Sequence, residues 1–288
     1  MKKICLIGAD GQLGTEITLA INGLGRFECT PLTINDLDIL NTLGVDQFFS
    51  QNQFDFVINC AAYTAVDLAE KEKEINNSVN NLAVKSLAKA CNAQDAILIH
   101  ISTDFVFDGT NYLPMKEEDS TNPIQEYGRA KLAGEKWVDN GIVIRTSWLY
   151  SPFGNNFAKT MLHLGTERET LHVVDNQVGT PTYAFDLAQA ILAICEDEKV
   201  KEKTGIYHFS NEGLASWFDF AQSIMEYGEV DCIVLPIPDS AYPTPAKRPK
   251  YSVLDKTKIK NQFEIKIPYW RESVKACIQR IKEDESRN

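Results

Sequence analysis

The sequence predicts an α/β protein: a Rossmann-like, doubly wound parallel sheet followed by a smaller α/β C-terminal lobe. Short apolar runs alternate with helical patterns at a spacing of roughly 30 residues, which is typical of βαβ units. The first apolar run leads directly into a glycine loop over 8–14, as in dinucleotide-binding folds. The length of 288 residues also exceeds what one core usually supports, so a second lobe is expected.

The elements follow in order along the chain. Apolar runs predict strands at 3–7, 54–61, 96–102 and 142–147, with a shorter one at 172–175, and 27–32 is a candidate second strand. Helical patterns reach about residue 21 and cover 42–52, 65–93 (with a break near Asn77) and 183–197. We therefore expect a nucleotide-binding domain over 1–150, which also takes 183–200, and a ligand-binding lobe over 151–288. Residues 205–288 are rich in Pro and aromatics, which predicts short helices and irregular segments.

Composition excludes several classes of partner. A net charge of -11 disfavours nucleic acid, because phosphate neutralisation needs a basic surface. No apolar run reaches the roughly 18 residues that span a bilayer, so no membrane partner is expected. The 7 cysteines form no C-x-x-C pair and their count is odd, which argues against a metal cluster or a disulfide framework and favours the reducing cytoplasm.

The glycine loop predicts a pyrophosphate site. Gly8 permits a tight turn, Gly11 allows close approach of a pyrophosphate, and Gly14 lets the following helix pack on the strand. The acid that usually binds the cofactor ribose is missing, because the second strand ends in Thr30-Pro31-Leu32-Thr33. No Arg or Lys follows that could hold a 2′-phosphate, so the sequence leaves NADPH and NADH both open. The alternative is a strand-to-helix turn that binds nothing.

A second group of residues predicts acid–base chemistry. Tyr127 and Lys131 share one helix face, and Thr103 ends the fourth strand, where parallel α/β sheets bind ligands. A phenol near an ammonium should have a lowered pKa and donate a proton to a carbonyl oxygen. The alternative for Tyr127 and Lys131 is a surface helix pair.

Single residues have competing interpretations. Trp148 forms either a wall of a ligand pocket, which we favour, or part of the core. Arg145 is either a structural ion-pair partner or a diphosphate contact, and the sequence favours neither. Arg248 lies in a Pro-rich loop and is predicted to contact substrate phosphates rather than solvent. His100 and His208 lie near apolar runs and are predicted to be core residues.

The motifs together resemble the extended short-chain dehydrogenase/reductase family over nearly the whole chain. The segments that carry the likeness are GADGQLG (8–14), VINCAAYTAVDLAE (57–70), HISTDFVFDG (100–109), YGRAKLAGE (127–135), RTSWLYS (145–151), GNNFAKTML (154–162), DNQVGTPT (175–182) and AYPTPAKRP (241–249). The later segments resemble members that act on dTDP-linked keto-sugars. The resemblance implies reduction of the 4-keto group of dTDP-6-deoxy-L-lyxo-4-hexulose to dTDP-L-rhamnose with NADPH or NADH. Alternatives are a reductase or epimerase of another NDP-hexulose, or a catalytically silent dinucleotide-binding regulatory subunit.

The resemblance also implies roles for individual residues. Some members form a magnesium-dependent dimer, and Glu16 matches one acidic position of that site, so a magnesium ion and a homodimer are left open. Phe105 stands where the family usually has Tyr, outside the expected chemistry. The implied catalytic residues are Thr103, Tyr127 and Lys131; the implied cofactor contacts are Gly8, Gly11, Gln12, Leu13, Gly14, Asp38, Ile39, Ala62, Tyr63, Thr64, Tyr127 and Lys131; the implied substrate contacts are Thr103, Asp104 and Trp148, to which the loop argument adds Arg248.

Overall fold

The structure is a computed structural model that describes residues 1–22 and 25–287. Its first half alternates strands and helices as predicted. The elements are β1 (Lys2–Ile7), α1 (Gln12–Asn22), β2 (Phe27–Leu32), α2 (Thr42–Gln51), β3 (Phe56–Asn59), α3 (Val66–Ala69), α4 (Lys73–Asn77), α5 (Ala83–Ala93), β4 (Ile97–Thr103), α6 (Glu126–Glu135) and β5 (Ile142–Thr146). A π-helical turn over Ser78–Leu82 joins α4 to α5, next to the predicted break at Asn77.

The second half has shorter strands. Its elements are β6 (Leu149–Tyr150), α7 (Phe157–Glu167), β7 (Thr170–Val174), β8 (Val178–Gly179), β9 (Thr182–Tyr183), α8 (Ala184–Glu196), β10 (Gly205–His208), β11 (Ala215–Ser216), α9 (Trp217–Gly228), β12 (Ile233–Ile237), α10 (Thr257–Phe263) and α11 (Trp270–Arg287). The last helix has 18 residues, although short helices were predicted for this region.

A six-stranded parallel sheet confirms the predicted fold class. Its strand order is β10-β5-β4-β3-β1-β2, and every neighbouring pair is parallel. The chain starts at β1 and builds outward in both directions, so the order reverses between β1 and β3. In open α/β sheets, ligands bind beyond the carboxyl ends of the strands at this switch point.

The sheet is covered on both faces because its strands are apolar on both faces. Ile4 and Leu6 pack into a core with α1 and α8, whereas Cys5 and Ile7 pack into a second core with α2 and α5. This alternation follows from the two-residue period of a strand. A third core joins α7, α9 and α11 in the smaller lobe.

The observed topology does not divide cleanly at the predicted domain boundary. α8 joins the core of the large sheet, in line with the assignment of 183–200 to the first domain. β10 at 205–208 pairs with β5 in the same sheet, although everything else beyond 150 was assigned to the lobe. The division into 1–150 and 151–288 therefore stays a proposal. In the described part of the chain, no helix is long and apolar enough to span a bilayer.

Candidate active site

The glycine loop lies at the switch point. Gly8 has a φ of 75°, and a side chain there would place its Cβ 2.8 Å from the Ala61 nitrogen that follows β3. A Cβ on Gly14 would overlap the carbonyl oxygen of Gly8. Both positions therefore require glycine. The first-turn N–H groups of α1, from Gln12 on, have no partner within the helix and suit a pyrophosphate.

The side chains of this loop point away from the phosphate position. Oε1 of Gln12 accepts hydrogen bonds from Ser151 (3.2 Å) and Asn156 (3.0 Å), which ties α1 to the segment before α7. Leu13 is buried in the core of the sheet. The backbone of Gln12 and Leu13 is therefore the part that can contact a cofactor.

The segment after β2 presents carboxylates rather than cations. The Asp36 carboxylate accepts from the backbone N–H (2.9 Å) and hydroxyl (2.8 Å) of Thr33, and these bonds lower its pKa. Asp38 is exposed and accepts from the Leu40 N–H at 2.9 Å, while Ile39 is buried beneath it. Residues 27–70 contain no Lys or Arg, so this stretch supplies no cation to a 2′-phosphate.

The loop over 62–64 follows β3, and side chains of neighbouring elements hold it in place. The Asn80 side chain accepts from the Tyr63 N–H at 3.1 Å and donates to the Tyr63 carbonyl at 2.9 Å. The Tyr63 hydroxyl donates to Glu72 at 2.6 Å. Thr64 is exposed, and Ala62 is half-buried beside it. Asn80 lies in the π-helical turn, and nothing in its local pattern marks it as a support for this loop.

Thr103 and Tyr127 meet at the carboxyl end of β4. The Thr103 hydroxyl donates to Asp104 at 3.1 Å, accepts from the Phe105 N–H at 3.1 Å and lies near the Tyr127 phenol, whose pKa it lowers. A Cβ on Gly128 would overlap the Phe105 carbonyl oxygen, so α6 begins directly against this turn. The structure thus brings together two of the three predicted catalytic residues.

The expected lowering of the Tyr127 pKa is wrong for the protein without ligands. Burial raises the pKa of Tyr127 to about 12, and the nearby Asp104 raises it further while Thr103 lowers it. Lys131 instead donates to the Ile101 carbonyl at 2.6 Å. Tyr127 therefore keeps its proton at neutral pH, which is the form that a proton donor needs.

Lys131 is buried, with 1% of its surface exposed. Burial lowers its pKa to about 8, although Glu135 and Cys60 act in the opposite direction. A lysine whose pKa lies this close to neutral pH can gain and lose a proton at physiological pH. The structure thus places Lys131, whose ammonium loses its proton more readily than that of an ordinary lysine, one helical turn from Tyr127.

The predicted substrate residues surround the same strand ends. Burial raises the pKa of Asp104 to about 7, and its Oδ2 makes no hydrogen bond of standard geometry within the described residues. Trp148 has a φ of 47° and stacks on Trp217 with ring centroids 3.6 Å apart. A Cβ on Gly179 would lie 2.7 Å from the Trp148 ring, so β8 must carry glycine there.

Arg248 lies between two cavities of about 590 and 660 Å³ that both reach the 241–248 loop. Its Nη2 donates to Asp67 Oδ2 at 2.8 Å, and Asp67 Oδ1 accepts from the Ala246 N–H at 3.1 Å. Asp67 thereby holds this loop. The larger cavity is also lined by Lys247 and Lys250, so it is rich in cations.

Arg145 is a structural residue. Its Nη2 lies 2.7 Å from Oε2 of Glu135, and its exposed fraction is 2%. The Ser102 hydroxyl donates to the same carboxylate at 2.5 Å. The diphosphate alternative is therefore excluded for Arg145, because the guanidinium lies inside the protein in a satisfied ion pair.

Three residues without a predicted catalytic or binding role lie around the start of α6. Glu70 Oε1 accepts from the Glu126 N–H at 2.9 Å, at the start of α6. Asn76 Nδ2 donates to the Glu126 carbonyl at 3.0 Å. Gln125 is buried, and neither atom of its amide has a partner within the described residues. All three lie against the turn that carries Tyr127, but only tertiary packing reveals this.

Glu16 does not fit the magnesium site that the family resemblance left open. Its carboxylate is buried and lies 2.8 Å from the Arg280 guanidinium of α11. A cation already neutralises this carboxylate, so a divalent ion would meet the Arg280 charge. Within the described residues, no three His, Cys, Asp or Glu side chains form a group that could hold a metal.

Comparison with known proteins agrees with this geometry. The RmlD substrate binding domain family matches residues 1–283. The dTDP-4-dehydrorhamnose reductase of Aggregatibacter actinomycetemcomitans is 39% identical, covering 96% of this chain and 98% of its own. The chain belongs to the dTDP-4-dehydrorhamnose reductase family. Another family member, from Salmonella typhimurium, is 37% identical with 96% of each chain covered.

Crystal structures of this reductase family share the whole architecture. A dTDP-4-dehydrorhamnose reductase from Clostridium acetobutylicum ATCC 824 is similar at 40% identity and a TM-score of 0.92, covering 97% of this chain and 99% of that chain. The enzyme from Bacillus anthracis str. Ames, solved in complex with NADP, is similar at 36% identity and a TM-score of 0.91 with the same coverage. A UDP-glucose 4-epimerase from Thermus thermophilus shares the fold alone, at 18% identity and a TM-score of 0.78.

Proposed function

We propose that this protein reduces the 4-keto group of dTDP-4-dehydro-L-rhamnose to give dTDP-L-rhamnose, using NADPH or NADH. One observation carries the proposal: a buried Thr103, a half-buried Tyr127 and a buried Lys131 lie near the end of β4, in a sheet whose switch point holds the glycine loop. The family's reductases match the chain over nearly its full length.

The glycine loop and its neighbours would hold the nicotinamide cofactor. The steric demands at Gly8 and Gly14, and the free first turn of α1 next to Gly11, fit a pyrophosphate. When bound, the cofactor supplies the hydride that reduces the C4 carbonyl. We assign the remaining contacts to four places: the start of α1 (Gln12, Leu13), the segment after β2 (Asp38, Ile39), the loop after β3 (Ala62, Tyr63, Thr64) and the catalytic residues Tyr127 and Lys131.

Tyr127 donates the proton that the reduction needs. As the C4 oxygen gains negative charge, the phenol of Tyr127 gives it a proton, and the Thr103 hydroxyl holds the same oxygen in place. For this step the O–H of Thr103 turns from Asp104 Oδ1, to which it donates in the structure, to the C4 oxygen, while the Phe105 N–H still donates to the Thr103 oxygen. Lys131 offsets the negative charge that remains on the Tyr127 oxygen.

The substrate's sugar and phosphates are held by side chains of both halves of the chain. We assign Asp104, which is next to Thr103 and bonded to its hydroxyl, to a sugar hydroxyl, and Trp148 to a wall of the sugar pocket. Arg248 sits by the cation-rich cavity and binds the diphosphate through charge-assisted bonds, in exchange for its contact with Asp67. The aromatic cavity that contains Trp217 is of suitable size for the thymidine part.

The decisive experiment follows NADPH and NADH oxidation with enzymatically prepared dTDP-4-dehydro-L-rhamnose, and identifies the product by NMR. We expect turnover with both cofactors, because β2 itself ends without an acid for the ribose and residues 27–70 contain no Lys or Arg for a 2′-phosphate. A product other than dTDP-L-rhamnose would favour another NDP-hexulose as substrate. Cofactor binding without turnover would favour the silent regulatory subunit.

The compartment that we propose is the cytoplasm, because all seven cysteines are unpaired thiols. A homodimer stays a prediction of the family resemblance, and sedimentation velocity tests it.

A further inference from the structure

Behind the candidate catalytic residues, three buried polar side chains form a chain of contacts. Asn59 ends β3, His100 lies in β4 and Lys131 lies in α6, with exposed fractions of 1%, 0% and 1%. Nδ2 of Asn59 is 3.2 Å from Nδ1 of His100, and Nζ of Lys131 is 3.4 Å from Nε2 of the same ring. Buried polar groups are costly unless they are paired, so this arrangement needs an explanation.

The backbone fixes the direction of each hydrogen bond in this chain. The Ala61 N–H donates to Oδ1 of Asn59 at 3.1 Å, so the amide nitrogen of Asn59 must face the His100 ring. An amide nitrogen only donates, which makes Nδ1 of His100 an acceptor. The ring stays neutral because burial, and then Lys131, lower the pKa of His100 well below its usual value. Its single proton therefore sits on Nε2.

This tautomer aims the Nε2–H of His100 at Nζ of Lys131. When Lys131 is an ammonium, two donors face each other and neither gains a hydrogen bond. When Lys131 is a neutral amine, its lone pair accepts from the Nε2–H of His100 while it still donates to the Ile101 carbonyl. The contact thus favours the amine over the ammonium.

We propose that His100 is a positioning residue for the reduction: its Nε2–H, oriented by Asn59, prepares Lys131 to release a proton to Tyr127. The inference rests on the proposed function. In each turnover, the O–H bond of Tyr127 breaks and its proton forms the new substrate hydroxyl. An N–H bond of Lys131 then breaks and its proton restores the phenol. The amine that remains accepts a hydrogen bond from His100 and regains a proton from water.

Other titratable groups also face Lys131, and they act in the opposite direction. Glu135, one turn along α6, and Cys60, after β3, both raise the Lys131 pKa, whereas burial lowers it. The Glu135 charge is largely committed to Arg145, which lies 2.7 Å away. His100 is thus the neighbour on β4 through which Lys131 and the cofactor-binding side of β3 are connected.

Two substitutions at one position separate the two ends of the ring. His100→Gln places an amide nitrogen near the Nε2 position and keeps a donor toward Lys131, whereas His100→Asn keeps only a group near the Nδ1 position. We expect His100→Asn to lower kcat at neutral pH roughly tenfold, to move the alkaline limb of the kcat–pH profile to higher pH, and to leave KM unchanged. His100→Gln should stay close to wild type. Asn59→Leu, which removes the donor that orients the ring, should move the limb as His100→Asn does.

A second measurement needs no turnover. The 15N NMR signal of the Lys131 side chain, assigned by its loss in Lys131→Arg, should titrate at higher pH in His100→Asn and Asn59→Leu than in wild type or His100→Gln. Identical titration in all these proteins, or equal loss of kcat in both His100 variants, would overturn the proposal. If the titrations separate as expected but wild type reduces no keto-sugar, the proposed function fails and the hydrogen-bonded chain stands.

Discussion

The raised pKa of Tyr127 keeps its hydroxyl protonated at neutral pH, so this single group can serve as the proton donor of the reduction. We expect Tyr127→Phe to lower kcat by at least 10²-fold, because a general acid contributes roughly 10²–10⁴-fold. The Kd for NADPH should change little, since the variant loses only the phenol oxygen and keeps both the ring and the glycine loop. Stopped-flow kinetics and fluorescence titration measure the two quantities. Tyr269→Phe is the matched control, because Tyr269 is 45% exposed, lines neither cavity beside Arg248 and should keep full activity.

Asp104 couples activity to stability. Burial raises its pKa from 3.8 to about 7, so the folded state binds its proton more tightly than the unfolded state does. Stability that is complete below pH 4 is therefore lost as the pH rises toward 7. Asp104→Asn should remove this loss and stabilise the protein at pH 8 by roughly 2–4 kcal/mol, while lowering kcat/KM.

Thermal unfolding at pH 8 and pH 4 tests this change at Asp104. The variant's gain in Tm should be present at pH 8 and nearly absent at pH 4. A gain of the same size at both pH values would assign the effect to packing rather than to the carboxylate.

For single residues, local sequence patterns identified the functional candidates but did not predict their burial or their partners in the fold. Tyr127 and Lys131 could be paired from the sequence because i and i+4 share a helix face. The direction of the Tyr127 pKa shift could not, because it depends on burial against the turn after β4. The Arg145–Glu135 ion pair could not be predicted from the sequence either, because one partner lies in a strand and the other in a helix.

Glu70 accepts one of the hydrogen bonds that hold the start of helix α6. Glu70 accepts from the Glu126 N–H at 2.9 Å and thereby fixes the turn that carries Tyr127. We expect Glu70→Ala to lower kcat several-fold and the free energy of unfolding by about 1 kcal/mol, as measured by steady-state kinetics and urea denaturation. Glu70→Gln keeps an acceptor oxygen and should retain most of both. Equal kcat in the two variants would show that Glu70 does not position α6.

Among the elements, the sequence predicted those with strong local signals. β1 to β5 are apolar on both faces, so their runs were visible and their bounds agree within a few residues. β10 was missed because its four residues carry no periodic signal, and its partner β5 lies some 60 positions earlier. The π-helical turn next to Asn77 was seen only as a break, since its support of Tyr63 is a tertiary contact.

Over the whole molecule, the two ends of the chain meet. α11 returns to α1, where Arg280 pairs with Glu16 and also contacts the Tyr183 hydroxyl. The sequence could not predict this pair, because 264 positions separate the partners. The family resemblance directed attention to Glu16 as an acidic ligand, whereas the fold supplies an arginine as its counterion. The pair joins the first helix of the nucleotide-binding sheet to the last helix of the chain.

This buried pair gives the last prediction. Glu16 is 1% exposed, so Arg280→Met should leave a buried carboxylate without its cation and lower the free energy of unfolding at pH 7 by about 3–5 kcal/mol. Burial already raises the Glu16 pKa, and without Arg280 the pKa should rise further. An acid whose folded pKa is raised destabilises as the pH rises, so the difference from wild type should shrink below pH 4.

The double variant Glu16→Gln with Arg280→Met is the control, because it removes both charges and keeps similar volumes. It should recover most of the lost stability at pH 7 in urea denaturation. For wild type, EDTA should change neither Tm nor the sedimentation coefficient, because the Arg280 guanidinium already neutralises the carboxylate at Glu16. A fall in Tm on chelation would show instead that a metal ion competes with Arg280 for this carboxylate.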